Sequence, residues 1–277
     1  VTTSYDCSDP NQRSEGLAAA QRALAARQCV VIPTDTVYGI AADAFSPQAV
    51  ATLLASKGRG RNMPPPVLIP RIQTLDGLAA DVHPDARRLA AQFWPGALTI
   101  IFHAQPSLTW DLGETLGTVA LRMPDDRVAL DLLAMTGPLA VSSANRTGHP
   151  AATTAAEAVS QLAESAAVYL DDGERSGGSA VGSTIVDATG DLLRVVRPGP
   201  ISLDRLRGAV PTLLDIDEVA GVDAEAAASD TGLPDDRAPD APSSAVPSGI
   251  RHPAGGSTAV TVSDPAPPAR PQLPERP

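Results

Sequence analysis

The chain has 277 residues and a formal net charge of −11, with a sequence pI near 4.7; this argues against a protein that coats nucleic acid by bulk positive charge and leaves room only for a small, concentrated polyanion site. Two cysteines, Cys7 and Cys29, suggest neither a disulfide framework nor a zinc pattern, and the polar start Val1-Thr2-Thr3-Ser4-Tyr5-Asp6, with no long apolar stretch elsewhere, predicts a soluble, cytoplasmic protein without a membrane span. Residues 217–277 hold 11 of the 27 prolines, no aromatic residue, and ten acidic against four basic residues, so they cannot bury a core and read as a disordered, Pro-rich acidic tail.

Residues 1–13 read as an N-terminal extension, after which Ser14 caps a helix running to about Gln28. Cys29-Val30-Val31-Ile32 is a short apolar run of buried-strand type, halted by Pro33. Ser46 and Pro47 occupy the N-cap and first position of a helix in which Val50, Leu53 and Leu54 repeat at helical spacing up to Lys57. The alternation continues with strands at Val67–Ile69, Leu98–Phe102 and Thr118–Leu121 and helices at Pro84–Trp94 and Asp125–Met135. A strand at Leu139–Val141 follows, then a capping box of Thr154 and Glu157 opening a helix to Leu162. Val168–Leu170, Thr184–Val186 and Leu192–Val196 complete the strands. Gly190, between two closely spaced strands, implies an antiparallel pair, so the expected class is α/β with a mixed sheet. No fixed-period repeat and no Gly-rich phosphate loop of the Walker or dinucleotide type is present.

Polar residues gather at five places. Lysine occurs once, at Lys57, against 20 arginines, in the run Lys57-Gly58-Arg59-Gly60-Arg61 before Met63-Pro64-Pro65-Pro66. Three cations on such a turn could wrap a triphosphate, although Lys57 and Arg59 could equally complement the end of the preceding helix. Ser142-Ser143-Ala144-Asn145-Arg146-Thr147-Gly148 follows a buried strand, as does Pro33-Thr34-Asp35-Thr36-Val37-Tyr38-Gly39, at the strand ends where α/β sheets commonly bind ligands; both runs also suit ordinary turns. Gly182-Ser183-Thr184 and Arg197-Pro198-Gly199 are the other two. Arg122, closing a strand, offers a planar fork suited to a carboxylate. No carboxylate pair or His-centred triad is evident, and His83, His103, His149 and His252 lack metal-ligand spacing.

In order and spacing, Pro33–Gly39, Lys57-Gly58-Arg59, Ser143-Ala144-Asn145, Ser183-Thr184-Ile185-Val186-Asp187 and Arg197-Pro198-Gly199 closely resemble the YrdC family of threonylcarbamoyl-adenylate synthases, over roughly residues 14–210. The resemblance implies a twisted mixed α/β sheet with helices around it and a concave cationic cleft. It implies formation of threonylcarbamoyl-AMP and pyrophosphate from L-threonine, bicarbonate and ATP, for N6-threonylcarbamoyladenosine in tRNA. Carried over by position, ATP would be held by Lys57, Arg59, Thr118, Asn145, Thr153 and Arg197, with Lys57 and Arg59, on an exposed loop, stabilising the transition state. Threonine would meet Thr36, Arg122, Ser143 and Ser183. Thr153 also sits beside the capping box, where it would merely help start a helix. Mg²⁺ would arrive with ATP, held mainly by its phosphates. The implied partners are the enzymes that transfer the threonylcarbamoyl group to tRNA, with neither membrane nor DNA. Some relatives carry Asn and His where this chain has Met63 and Leu68, and some have a second globular domain that the tail is too Pro-rich to match. The alternatives are a non-catalytic RNA-binding module, whose affinity would fall steeply with salt, and an enzyme forming another carbamoyl-adenylate, which would ignore threonine.

Overall fold

The computed structural model describes residues 2–175 and 180–218. The chain starts with a strand, β1 (Thr3–Asp6), followed by helix α1 (Pro10–Ala25). The helix begins a turn before Ser14, because the Asp9 carboxylate accepts from the amides of Asn11 and Gln12 while Pro10 fills a position where its missing N–H costs nothing. Residues 3–13 are therefore no appendage, since they supply a sheet strand and the start of a core helix.

Next come β2 (Val30–Ile32), β3 (Gly39–Asp43), α2 (Pro47–Ser56), β4 (Val67–Leu68), α3 (Leu75–Leu78), β5 (Ala79–Ala80), α4 (Pro84–Phe93), β6 (Leu98–Ala104) and β7 (Thr118–Arg122). The rest are α5 (Arg127–Thr136), β8 (Leu139–Ser143), α6 (Ala155–Leu162), β9 (Val168–Asp171), β10 (Thr184–Asp187), β11 (Arg194–Arg197) and α7 (Leu203–Ala209). Ser46, Asp126, Thr154 and Ser202 cap α2, α5, α6 and α7, and the capping box of Thr154 and Glu157 forms as the sequence predicts.

The strands form one mixed sheet in the order β1-β9-β2-β3-β8-β4-β7-β6-β10-β11, with β5 added beside β6. Four pairs are parallel (β1 with β9, β2 with β9, β4 with β7, β6 with β10) and the others antiparallel, among them the β10–β11 pair that Gly190 implied. Gly39 is required where β3 crosses β8, because a Cβ there would stand 2.6 Å from Val141 Cγ1.

Successive strand residues face opposite sides, and the two faces build two cores. Val31, Ile40, Val67, Leu121 and Ile100 pack under α2, α4 and α6. Val30, Ile32, Ala41, Leu68 and Val141 pack under α1 and α5. This second face extends beyond the two helices that cover it. Ile100 pairs with Leu121, so the residues one step out, Thr99 and Arg122, lie side by side on the uncovered part of that face, next to Leu68. The candidate site is this bare continuation of a core face.

After α7 the chain returns to the sheet edge, where Leu214 bonds the backbone on either side of Arg194 and Arg207 pairs with Glu218. The folded unit thus runs past residue 210 to Glu218, and the remainder of the expected tail, from residue 219 on, lies outside the described residues. No helix among the described residues is long and apolar enough to cross a membrane.

Candidate active site

The cleft, about 270 Å³, is lined by Thr34, Thr36, Arg59, Leu68, Thr99, Arg122, Ser142, Ser143, Asn145, His149, Ser183 and Arg197 among others. Arg122 is its floor. Its guanidinium donates from Nε to the Gly96 carbonyl (3.0 Å), from Nη1 to Thr36 Oγ1 (3.1 Å) and from Nη2 to Asp35 Oδ1 (2.6 Å). The Asp35 carboxylate also accepts the Asp125 amide (3.0 Å), so the fork is held from three sides. Thr34 Oγ1, 3.1 Å from Thr36 Oγ1, donates to the Val37 carbonyl (2.6 Å), turning the segment after β2 so that Thr36 faces the guanidinium.

On the opposite wall, Arg197 Nη2 and Nε donate to the Ser183 carbonyl (2.7 and 3.1 Å), and Thr99 and Ser183 share a hydroxyl contact of 2.7 Å. Gly199 makes this wall possible: a Cβ there would lie 2.4 Å from the Thr184 amide nitrogen. The third wall carries Ser142, Ser143 and Asn145 from the end of β8, and Arg59 Nη1 donates to Ser142 Oγ at 3.0 Å. Arg59 Nε is buried and has no hydrogen-bond partner among the described residues.

Among the described residues, three guanidiniums thus face one hollow, with the Asp35 carboxylate paired to Arg122 beside it. Burial lowers the Arg59 and Arg122 pKa values, with Asp35 opposing the fall at Arg122. At Arg197 burial acts first and repulsion from Arg122 and Arg59 adds to it. Guanidiniums stay protonated regardless, so the cleft holds excess positive charge inside an acidic protein. It forms where three arginines and a set of hydroxyls meet at the strand ends of one sheet face, Arg122 closing β7, Ser143 closing β8 and Arg197 closing β11.

Lys57 departs most from expectation. It is 1% exposed rather than on an open loop, because Leu53 and Leu54 pull the end of α2 into the core. Its ammonium lies beneath the β8 loop, donating to the Ser143 and Asn145 carbonyls and to Asn145 Oδ1. It supports the Ser-x-Asn wall from behind, and only Arg59 of the run reaches the cleft. Arg61 turns away to Asp111.

Of the ten expected site residues, seven line the cleft: Thr36, Arg59, Arg122, Ser143, Asn145, Ser183 and Arg197. Thr118 does not, because it stands four residues up β7 from Arg122, about 13 Å at strand rise, with its hydroxyl on the Thr115 carbonyl. Thr153 does not either, since its amide and hydroxyl both bond Glu157 within the helix cap (2.7 and 3.1 Å). Leu68 forms part of the cleft wall, whereas Met63 is 45% exposed and outside it.

Residues 22–199 match the family model of the Sua5/YciO/YrdC domain, described as "Telomere recombination". The chain belongs to this family. Within the Sua5/YciO/YrdC family it is 52% identical over 224 residues to a Mycobacterium tuberculosis protein provisionally named a threonylcarbamoyl-AMP synthase, covering 81% of this chain and 98% of that one. The Bacillus subtilis threonylcarbamoyl-AMP synthase is 34% identical over 76% of this chain and 59% of its own length. Among solved structures, Pyrococcus abyssi Sua5 complexed with L-threonine superposes with a TM-score of 0.70 at 28% identity, over 78% of this chain and 62% of that one. Escherichia coli YciO, with a TM-score of 0.66 at 19% identity, shares the fold across 74% of this chain and all of its own. The resemblance read from the five loops is borne out, and threonylcarbamoyl-AMP synthase, a nucleotide-transferring activity, is the name carried by the Mycobacterium tuberculosis and Bacillus subtilis relatives.

In this Sua5/YciO/YrdC domain several supporting residues carry no functional signal of their own in the sequence. Asp35 and Ser142 lie inside the polar runs Pro33–Gly39 and Ser142–Gly148 as ordinary turn residues, and it is they that hold Arg122 and Arg59. Thr99 carried the fainter signal of a hydroxyl inside an otherwise apolar strand, buried and bonded to Ser183. Among the described residues no group of three His, Cys, Asp or Glu side chains could hold a metal ion.

Proposed function

We propose that this chain makes L-threonylcarbamoyl-AMP and pyrophosphate from L-threonine, bicarbonate and ATP, in the cytoplasm, supplying the enzymes that complete N6-threonylcarbamoyladenosine in tRNA. The observation that carries the reading is the convergence of Arg59, Arg122 and Arg197 with Thr36, Ser143 and Ser183 on one bare sheet face. The Arg122 fork, fixed by Asp35, suits the threonine carboxylate, with Thr36 and Ser183 close enough to meet the hydroxyl and amine. Arg59, Arg197 and Asn145 suit the nucleotide and its phosphates.

The amine and bicarbonate condense to a carbamate with loss of water. A carbamate oxygen then attacks the α-phosphorus of ATP, the bond to the β-phosphate oxygen breaks, and pyrophosphate leaves with the displaced electron pair. No side-chain base is required for the displacement. What the chain supplies is fixed donors aimed at oxygens that gain charge, at a site partly closed to water. Mg²⁺ would be carried in on the triphosphate and would neutralise phosphate charge there, since the lining side chains among the described residues include no carboxylate to hold it separately.

The deciding experiment supplies ATP, bicarbonate and one amino acid at a time and measures pyrophosphate. Threonine should support release, serine far less and the others none. Release independent of threonine, or RNA binding tighter than ATP binding with a steep salt dependence, would replace the synthase reading.

A further inference from the structure

Residues 105–117, between β6 and β7, leave the sheet on a longer path than a hairpin needs. They run against the loop that carries Arg59. The Glu114 amide donates to the Arg61 carbonyl at 2.7 Å, and Arg61 Nη2 reaches Asp111 Oδ1 at 2.8 Å. That same Asp111 oxygen accepts the Gly113 amide at 3.0 Å, so one carboxylate ties the excursion to itself and to the Arg59 loop. Gly113 has φ +109°, and a Cβ on it would lie 2.6 Å from the Arg61 carbonyl oxygen. Only glycine allows this approach without strain.

The other end of the excursion is fixed as well. Trp110 stacks on Phe45 with ring centroids 5.6 Å apart and planes 25° apart. Phe45 immediately precedes the Ser46 cap of α2, and Lys57 caps the far end of that helix and leads into the Arg59 loop. The excursion therefore grips the segments at both ends of α2. Arg61, Asn62, Met63 and Pro64 are exposed, and beyond the internal turn from the Met63 amide to the Gly60 carbonyl they have few other anchors. An exposed ion pair such as Arg61–Asp111 adds little to global stability, so its consequence is local.

We propose that residues 110–114 are a positioning brace for the Arg59 loop, setting nucleotide affinity by fixing where Arg59 presents its guanidinium. None of them lines the cleft. The inference rests on reading the cleft as a nucleotide site.

Gly113→Ala tests it without altering any charge. ATP KM, and ATP Kd by calorimetry, should rise about tenfold, while threonine KM and kcat at saturating ATP stay within about twofold, since a displaced loop loses alignment rather than chemistry. A folded variant with unchanged ATP affinity, or one whose threonine KM rises in step, overturns the brace. If Gly113→Ala does not fold, Asp111→Asn, which keeps the acceptor and loses the charge, decides by the same split at smaller amplitude. Wild-type protein that binds no ATP would sink the nucleotide reading and the brace together. Equal ATP binding by wild type and variant sinks the brace alone.

Discussion

Arg122 shows how the acidic chain concentrates its positive charge. Asp35, Thr36 and Gly96 use three of its five N–H donors and leave a rigid remainder facing the cleft. Arg122→Lys keeps the charge and the ion pair with Asp35 but loses the fork, and an ammonium cannot hold Gly96, Thr36, Asp35 and a carboxylate at once. Threonine KM should therefore rise about tenfold or more with ATP KM little moved, the loss of one charge-assisted bond. Equal changes in the two KM values, in steady-state kinetics, would show that Arg122 acts on the whole cleft. Lys57 gives a prediction in pH. Burial first, and repulsion from Arg59 second, bring its pKa down from 10.5 to about 7. Between those values the unfolded chain holds the extra proton, so stability rises with pH from about 7 upward, and the penalty is fully present below. Measured by urea denaturation, the stability of wild type relative to Lys57→Met should grow as pH goes from about 7 to about 10, because methionine carries no proton to lose. A difference flat in pH would mean that the three acceptors on Lys57 offset its burial.

At the scale of elements, what could be read in the sequence depended on how strongly each segment's own chemistry declared itself. β2, β6 and α5 are apolar runs or well-capped periodic segments, and they appear within a residue or two of where the pattern placed them. β1 reads Thr-Ser-Tyr-Asp and is largely exposed at the sheet edge, so it offers no apolar run, and only its pairing with β9 makes it a strand. β3 reads Gly-Ile-Ala-Ala-Asp, where small residues reflect close passage beside β8 rather than strand propensity. The site divides the same way. Local runs mark the loops that bear Arg59, Asn145 and Ser183, but which face a side chain takes is settled by long-range packing. Lys57 reads as an exposed loop cation until Leu53 and Leu54 are seen drawing its helix end inward, and Thr118, which the resemblance sets against ATP, stands a strand-length from Arg122 and outside the cleft lining. The Asp126–Arg175 pair, 2.8 Å and largely buried, was equally illegible, because it joins the cap of α5 to the chain beyond β9 across 49 residues.

For the whole molecule, the boundary of the folded unit is set by contacts rather than by composition. The acidic, Pro-rich character begins near residue 217, yet Glu218 still accepts from the Asp215 amide at 2.9 Å and pairs with Arg207 on α7. Leu213 is buried, and the Leu214 backbone adds a rung to the edge strand β11, whose far end carries Arg197 of the cleft. Two truncations should therefore differ sharply. A chain ending after Glu218 keeps every one of these contacts and should retain turnover and melting temperature. A chain ending after Val210 uncovers the core beneath Leu213, unpairs Arg207 and frees the backbone of β11, so it should melt lower by several degrees, as a loss of about 2–5 kcal/mol from one buried leucine implies. Its ATP KM should rise as well, because Arg197 loses a fixed strand behind it. Turnover lost already in the chain ending after Glu218, with its melting temperature intact, would show that residues beyond 218 act at the cleft itself.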